Sequence, residues 1–323
     1  LNSDHVSDIN DNRYIDAGDL LADSRWEDGS DADLNGYEDD LVGWDFVNND
    51  NNPFDDNAHG THVSGTIGAM GNNGTGVVGV NWDVSLLGAK IFPSGTVAAL
   101  VGAVNYVTTM RQTHGHNITA INASYGYYFP TMIEYDSILA VNNAGVVFVA
   151  AAGNGCDIQL SPCIDGIGDD NDIIPVYPAS YGLPGIIAVA ATDDTDNRPN
   201  FSNYGLTSVD LGAPGVNILS TVPTSVSASG YVAWPGTSMA APHVSAALAL
   251  LKARDPDATP EELKATLLAA SSPRSAMQCS GSCALYPGTT PIEGSSDMCT
   301  RPCGQGLLDL AMVPERPTGG GGD

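Results

Sequence analysis

The sequence predicts an α/β fold built on a doubly wound, mainly parallel β-sheet with helices on both faces. Three observations carry this reading: short apolar runs bounded by turn residues, helix-length amphipathic stretches, and regular alternation of the two from residue 84 onward. Residues 84–92 are too short for a helix and read as a buried strand. Residues 97–112 have helical apolar spacing, 117–124 are strand-like, 131–143 are helical, and 146–152 form a continuous apolar run. Such unbroken runs are what a strand buried on both faces shows. Further strands are expected at 186–191 and 209–211, before helices near 239–253 and 260–270. The last helix opens with Thr259-Pro260-Glu261-Glu262, an N-cap, a proline at the first helical position and a glutamate in capping-box position. Strands alternating with helices imply parallel pairing through crossovers.

Residues 1–57 differ from the rest. Seventeen of them are Asp or Glu, the stretch is turn-rich, and it has no long periodic element. No internal repeat is found. Residues 273–303 read as a Cys-rich insertion, and 313–323, with Pro317, Thr318 and four glycines, as a linker or frayed tail.

Composition narrows the function classes. With 323 residues, 42% hydrophobic residues, 15% charged residues, 37 Gly and 20 Pro, the chain is globular and rich in turns. A net charge of −27 with only three lysines, Lys90, Lys252 and Lys264, argues against nucleic acid as a partner, because counterion release needs clustered cations. No apolar run reaches the ~18 residues of a membrane-spanning helix. The start, Leu1-Asn2-Ser3-Asp4-His5, lacks the basic and apolar regions of a signal peptide, so any targeting segment is expected to have been removed. Six cysteines, at 156, 163, 279, 283, 299 and 303, read as up to three disulfides in an oxidising compartment. Cys156 with Cys163 would close a short loop, and the other four allow three connectivities. The alternative, a four-cysteine zinc site, usually has tighter ligand spacing.

In a doubly wound sheet, ligands bind at the carboxyl ends of strands, which directs attention to three motifs. They are His59-Gly60-Thr61-His62-Val63-Ser64-Gly65, Ala151-Ala152-Gly153-Asn154 at the end of the 146–152 strand, and Gly236-Thr237-Ser238-Met239-Ala240-Ala241-Pro242-His243. A serine at a helix N-terminus sits beside unpaired N–H groups that can stabilise charge on a carbonyl oxygen. An imidazole can take its proton, and an asparagine N–H can complete an oxyanion hole. Each residue alone has a plainer reading: a structural histidine, an N-cap, a turn. Together, in this order, they point to acyl transfer.

With these motifs the chain resembles the subtilases, the subtilisin-like serine proteases, over about residues 10–312. Further matching segments are Trp44-Asp45-Phe46-Val47-Asn48, Tyr177-Pro178-Ala179-Ser180, Phe201-Ser202-Asn203-Tyr204-Gly205, Gly212-Ala213-Pro214-Gly215 and Gly304-Gln305-Gly306. The resemblance implies one catalytic domain over 1–312 with a seven-stranded type of sheet. It implies His59 as general base, Ser238 as nucleophile and Asn154 as oxyanion donor, with His62 and His243 structural. It also implies that Ser124, Tyr125 and Gly126 together with Ala152 and Gly153 pair with substrate backbone and line the primary specificity pocket, with Gly95 on the opposite rim. The family's third catalytic residue is an aspartate in Asp-(Thr or Ser)-Gly after an apolar strand. Asp16-Ala17-Gly18 matches it only superficially, since no apolar strand precedes it, and the aspartate is expected just upstream of Leu1.

Asp31-Ala32-Asp33-Leu34-Asn35-Gly36-Tyr37-Glu38-Asp39-Asp40 has oxygen ligands at alternate positions and a glycine sixth, as in a calcium loop. Val42 stands where the bidentate glutamate would be, so Asp39 or Asp40 would substitute. The alternative is a solvated acidic turn. By resemblance, Asp210 with the carbonyls of Pro184 and Ile186 forms a second cation site. Asp165, Asp169, Asp170 and Asp172 make a third candidate cluster, or are simply solvated.

The expected protein is a secreted, calcium-stabilised, monomeric serine endopeptidase that acts on protein or peptide substrates, matures through an N-terminal propeptide, and engages neither nucleic acid nor membrane. Its rivals are a non-catalytic binding module of the same fold that lacks the triad aspartate, and an acidic calcium-binding structural domain.

Overall fold

The structure, a computed structural model, describes residues 7–9, 11, 16–155 and 167–272. All six cysteines, Asp165 and the Gly304-Gln305-Gly306 segment lie outside the described residues. In chain order the elements are α1 (Ala17–Ala22), β1 (Gly43–Asp45), α2 (His59–Gly68), β2 (Gly88–Lys90), α3 (Val97–Gln112), β3 (Ala120–Ala123), α4 (Met132–Asn143), β4 (Val147–Ala151), β5 (Ile186–Thr192), β6 (Leu211–Pro214), β7 (Ile218–Thr221), β8 (Tyr231–Trp234), α5 (Thr237–Arg254) and α6 (Pro260–Ala270). They fall into two compact units, Leu1–Gly60 with Ser85–Ile118, and Thr61–Val84 with Thr119–Asp323.

In the first unit, β1 pairs in parallel with β2, Trp44 opposite Ala89. Gly43 has φ +122°, and a Cβ there would lie 1.8 Å from the Gly88 carbonyl oxygen, so only glycine permits this pairing. The expected strand at 84–92 shrinks to three residues because its partner is short: β1 ends where Asp45 N–H turns back to Asp50 O (2.8 Å). Asp45 is fully buried, and Lys90 Nζ meets it at 3.0 Å. Burial alone would raise the Asp45 pKa, but N–H groups of Asn48 and Val47, the Asn48 amide and Lys90 together hold it below the usual range. Tyr37, Trp44, Phe46 and Tyr106 pack edge-to-face between the acidic loop and α3.

The second unit holds a four-stranded parallel sheet in the order β3-β4-β5-β6. Every residue of β4 and β5 is buried, as their unbroken apolar sequences require. One sheet face, with Val147, Val149, Ile187, Val189 and Leu211, packs on Ala240, Val244, Leu248 and Leu251 of α5 and on Leu263 and Leu267 of α6. The opposite-facing Phe148, Ala150 and Ala190 are buried too, and α4 packs on β4. The strand expected at 209–211 is displaced to β6, since only from Leu211 does this segment find a ladder partner, Val189. β7 and β8 form an antiparallel pair. Among the described residues six strands pair in parallel, four in one sheet and two in the other, so the α/β class with a mainly parallel sheet stands while a single seven-stranded sheet is not seen.

Candidate active site

Ser238 is the second residue of α5, and the local backbone explains its exposure. Gly236 precedes the helix at φ +150°, a conformation disfavoured for side-chain-bearing residues. Pro242 inside the helix has no N–H, so the Ser238 carbonyl loses its i+4 partner. Ser124, just beyond β3, supplies the replacement: its Oγ donates to Ser238 O at 2.8 Å, while Ser238 Oγ lies 3.4 Å from Ser124 O. A polar relay stands behind this contact. Ser245 Oγ donates to Asn122 Oδ1 (3.1 Å), and Asn122 Nδ2 donates to Ser124 Oγ (2.9 Å).

Asn154 follows the end of β4. Its Oδ1 accepts from Thr237 N (2.8 Å) and Thr237 Oγ1 (2.9 Å), which fixes the amide. A Cβ on Gly236 would lie 3.6 Å from Ser238 N and 3.7 Å from Asn154 Nδ2, so two N–H donors border one small space that glycine leaves open. Beside it lies a cleft of about 300 Å³, lined by Tyr125, Gly126, Tyr128, Gly153, Asn154, Gly155, Val176 and Ser238 among others. Tyr125, Gly126 and Gly153 border this cleft, and Ser124 lies against Ser238. Ala152 does not line the cleft: it is fully buried, its N–H on Val189 O (2.9 Å) and its carbonyl on Asn171 Nδ2 (2.8 Å).

The strand end is held by two buried asparagines that carry no role in the sequence reading. Asn203 Oδ1 accepts from Gly155 N (2.6 Å) and Asp169 N (2.9 Å), and its Nδ2 donates to Asn171 Oδ1 (2.9 Å). Gly153, at φ +110°, cannot carry a side chain, since a Cβ would meet Asn203 Nδ2 at 2.6 Å. Asn203 stands in the segment Phe201-Ser202-Asn203-Tyr204-Gly205, but only the fold shows what it holds.

In the first unit, His59 opens α2 and packs edge-on to Phe92, with ring centroids 5.6 Å apart. Asp55 Oδ1 accepts from Asn57 and Ala58 N–H, and Ala58 takes φ +76°, which sets the entry to the helix. Gly95 sits at φ +52° in the turn before α3, its N–H on Ile91 O (2.8 Å). Asp16 caps α1, accepting from Gly18 N. The other two motif histidines are engaged by backbone. His62 Nε2 donates to Val232 O (3.1 Å) with its ring stacked on Trp234, and His243 Nδ1 donates to Met239 O (2.9 Å). Burial lowers both imidazole pKa values, keeping these rings neutral near pH 7.

The proposed calcium loop is built around Asn35. Asp31 Oδ1 and Asp33 Oδ1 both accept from Asn35 N (3.0 and 3.2 Å), and Asp33 Oδ2 and Asp40 Oδ2 both accept from Asn35 Nδ2 (3.3 and 2.8 Å). Gly36, at φ +94°, gives the tight turn and donates to Asp31 Oδ2. Asp40 also accepts from Tyr106 OH, Asp39 caps Gly29 N, and Tyr37 donates its N–H to Asn35 Oδ1 with its ring in the aromatic cluster. Three carboxylates thus converge on one asparagine, two on its backbone N–H and two on its side-chain amide. In this arrangement their oxygens are turned onto N–H and O–H donors, and no metal cage of three or more His, Cys, Asp or Glu forms among the described residues.

At the second expected cation site the structure places a lysine. Lys264 Nζ lies 2.8 Å from Asp210 Oδ1 and 2.5 Å from Ile186 O, so an ammonium occupies the place assigned to the cation between Ile186 and Asp210 near Pro184. Asp210 Oδ2 accepts from Ala188 N (2.9 Å). In this arrangement Lys264 supplies a cation to two of the three groups expected to hold the metal, Ile186 O and Asp210. In the third candidate cluster, Asp172 closes a loop by accepting from the N–H groups of Leu206, Thr207 and Ser208. Asp169 accepts from Tyr128 OH (3.3 Å), and its pKa is raised by burial.

A profile of the subtilase family matches residues 12–306. The chain belongs to the subtilase family. It is 37% identical to thermitase of Thermoactinomyces vulgaris over 212 residues, 65% of this chain and 66% of that protein. Subtilisin-like protease 1 of Plasmodium falciparum (isolate 3D7) is 36% identical over 239 residues, 71% of this chain and 33% of that protein. Subtilisin Savinase of Lederbergia lenta is 37% identical over 213 residues, 65% of this chain and 69% of that protein. The matches thus span 33% to 69% of the length of these relatives. The crystal structure of a cold adapted subtilisin-like serine proteinase superposes with a TM-score of 0.58 at 31% identity, covering 71% of this subtilase and 73% of that chain.

The Lys264 arrangement is testable. Lys264→Met leaves a partly buried carboxylate without its partner and should cost about 1–3 kcal/mol, with Lys264→Met/Asp210→Asn milder than the single variant. Thermal unfolding of the unaltered protein should be the same in sodium and choline buffers, and a marked dependence on the cation would restore the metal reading.

Proposed function

We propose that this subtilase is a secreted, monomeric serine endopeptidase acting on proteins or peptides and matured with the help of an N-terminal propeptide. The supporting observation is the pairing of Ser238 N–H and Asn154 Nδ2 around the space kept open by Gly236, beside a cleft that Ser238 itself lines. Ser238 Oγ attacks the peptide carbonyl as His59 takes its proton. The carbonyl oxygen becomes an oxyanion held by the Ser238 and Asn154 N–H groups. His59 then returns the proton to the departing amine, and water admitted to the acyl-enzyme repeats the sequence to free the acid. His59 has this role by the motif it shares with the family, and it opens α2 as that motif implies.

We further infer that calcium binds the loop carrying Asp31, Asp33, Asn35, Tyr37, Asp39 and Asp40. Carboxylates gathered about Asn35 repel one another, and a divalent ion taking the place of the amide's donors would neutralise them. Among the described residues no helix is long and apolar enough to cross a membrane.

Ser238→Ala should leave the fold intact and cut peptide hydrolysis at least about 1000-fold, and a serine-directed fluorophosphonate should label the unaltered protein at Ser238 alone. Absence of labelling would favour a non-catalytic binding module. Asn154→Leu should lower kcat about 100- to 1000-fold with little change in KM, the loss seen when such a donor is removed from subtilisin.

Excess chelator should lower the melting temperature, and Asp33→Ala should reduce calcium stoichiometry in equilibrium dialysis. A melting temperature indifferent to chelator would sink the calcium assignment.

A further inference from the structure

One buried charge in the second unit has no part in the chemistry above. Glu134, in the first turn of α4, is fully buried, and its carboxylate collects three phenols. Tyr125 OH donates to Oε1 (3.1 Å), and Tyr127 OH and Tyr181 OH donate to Oε2, the latter at 3.0 Å. Burying a carboxylate is costly even when it is hydrogen-bonded, and an apolar side chain of similar size would fill the space at less cost. Here burial raises the Glu134 pKa despite the three donors. A packing role alone gives no reason to place a charge there.

The phenols come from the two chain segments that meet at the cleft. Tyr127 and Tyr177 exchange backbone hydrogen bonds of 2.9 and 2.8 Å, and a Cβ on Gly126 would lie 2.7 Å from Val176 Cγ1, so the segments touch at the lining. Tyr125 and Tyr127, two apart in the chain, both turn their hydroxyls to Glu134. With both phenols drawn to Glu134, Gly126 between them is presented to the cleft and Ser124 before them reaches Ser238. Tyr181 pins the other segment, its OH also accepting from Thr131 N (2.9 Å) and its one proton shared between Glu134 Oε2 and Thr131 O (3.1 Å).

We propose that Glu134 is a positioning residue for peptide binding, its carboxylate fixing segments 124–128 and 176–181 in the spacing that a substrate backbone and side chain require. This rests on the reading of the cleft as a peptidase site. Glu134 touches no substrate, so its loss should weaken the grip on extended peptides and spare the reaction at Ser238.

The test compares an extended peptide p-nitroanilide with p-nitrophenyl acetate, an ester too small to use the cleft walls. Glu134→Ala should raise KM for the peptide about tenfold or more, with kcat and ester hydrolysis within about threefold of the unaltered protein. Glu134→Gln keeps an acceptor oxygen and the side-chain shape, and should recover most of the peptide KM. Tyr127→Phe and Tyr181→Phe should each give a smaller rise, and they carry the test if Glu134→Ala does not fold. An unchanged peptide KM in the variants that fold overturns the proposal. So does an equal loss on both substrates that tracks a fall in melting temperature, the mark of a merely structural residue. A native protein inert to both substrates overturns the peptidase reading, and this proposal with it.

Discussion

The side-chain oxygen of Asn154 accepts two hydrogen bonds from Thr237, one from backbone and one from hydroxyl. With that oxygen engaged, the amide nitrogen is held on the side where Gly236 leaves room, and Thr237 is fixed at the mouth of α5. Thr237 Oγ1 also accepts from Gly153 N (3.2 Å), so a single threonine joins the end of β4 to the start of α5. Ser238 inherits its position from this junction. Electrostatic stabilisation of an oxyanion works only if the donors are in place before the charge develops, because donors that must first reorganise spend the interaction on their own rearrangement. In the role proposed for Asn154 and Ser238, this junction of neutral groups would keep both donors in place before the charge develops.

Around the junction, buried polar side chains do the work that apolar packing cannot. Asn203 and Asn171 satisfy N–H and carbonyl groups left over where the chain leaves the sheet. Without them the bends at Gly153 and Gly155 would leave unpaired backbone groups in a dry interior, at about 1–3 kcal/mol each. The hydrophobic face of β4 to β6 against α5 and α6 provides the stability that such irregular chain draws on, and the site lies at the carboxyl ends of those same strands.

How much of this was legible in the sequence follows from how local each signal is. Helices α3, α4 and α6 fall within a residue or so of the amphipathic stretches that predict them, and the capping box at Thr259 and Glu262 forms as its sequence implies. β4 and β5 were legible because unbroken apolar runs have few other uses. β2 and β6 were misjudged in extent, since a strand lasts only as long as its partner and the partner is distant in sequence. The same distinction holds at the site. Ser238, Asn154 and Gly153 stand in compact motifs, whereas Asn203, Asn171 and Glu134 act on residues 7 to 48 positions away. Lys264 was missed for a related reason: nothing in the helix that carries it indicates that its amine reaches Asp210.

Lys264 also bears on the acidity of the chain. Its three lysines are all committed to internal contacts: Lys90 to Asp45 and Asp56, Lys252 to the Ala258 carbonyl, and Lys264 to Asp210 and the Ile186 carbonyl. The second and third each reach a backbone carbonyl that would otherwise lack a donor at the edge of a helix or strand. A chain with a net charge of −27 therefore spends its ammonium groups where geometry, not surface neutralisation, demands a cation. Many surface carboxylates instead accept from nearby N–H and O–H groups, as Asp172 does, and their mutual repulsion is weakened by salt over a Debye length of about 10 Å at 0.1 M. The buried Asp45–Lys90 pair and the partly buried Asp210–Lys264 pair are screened less, so the salt of the medium weakens them less than it weakens the repulsion between surface carboxylates.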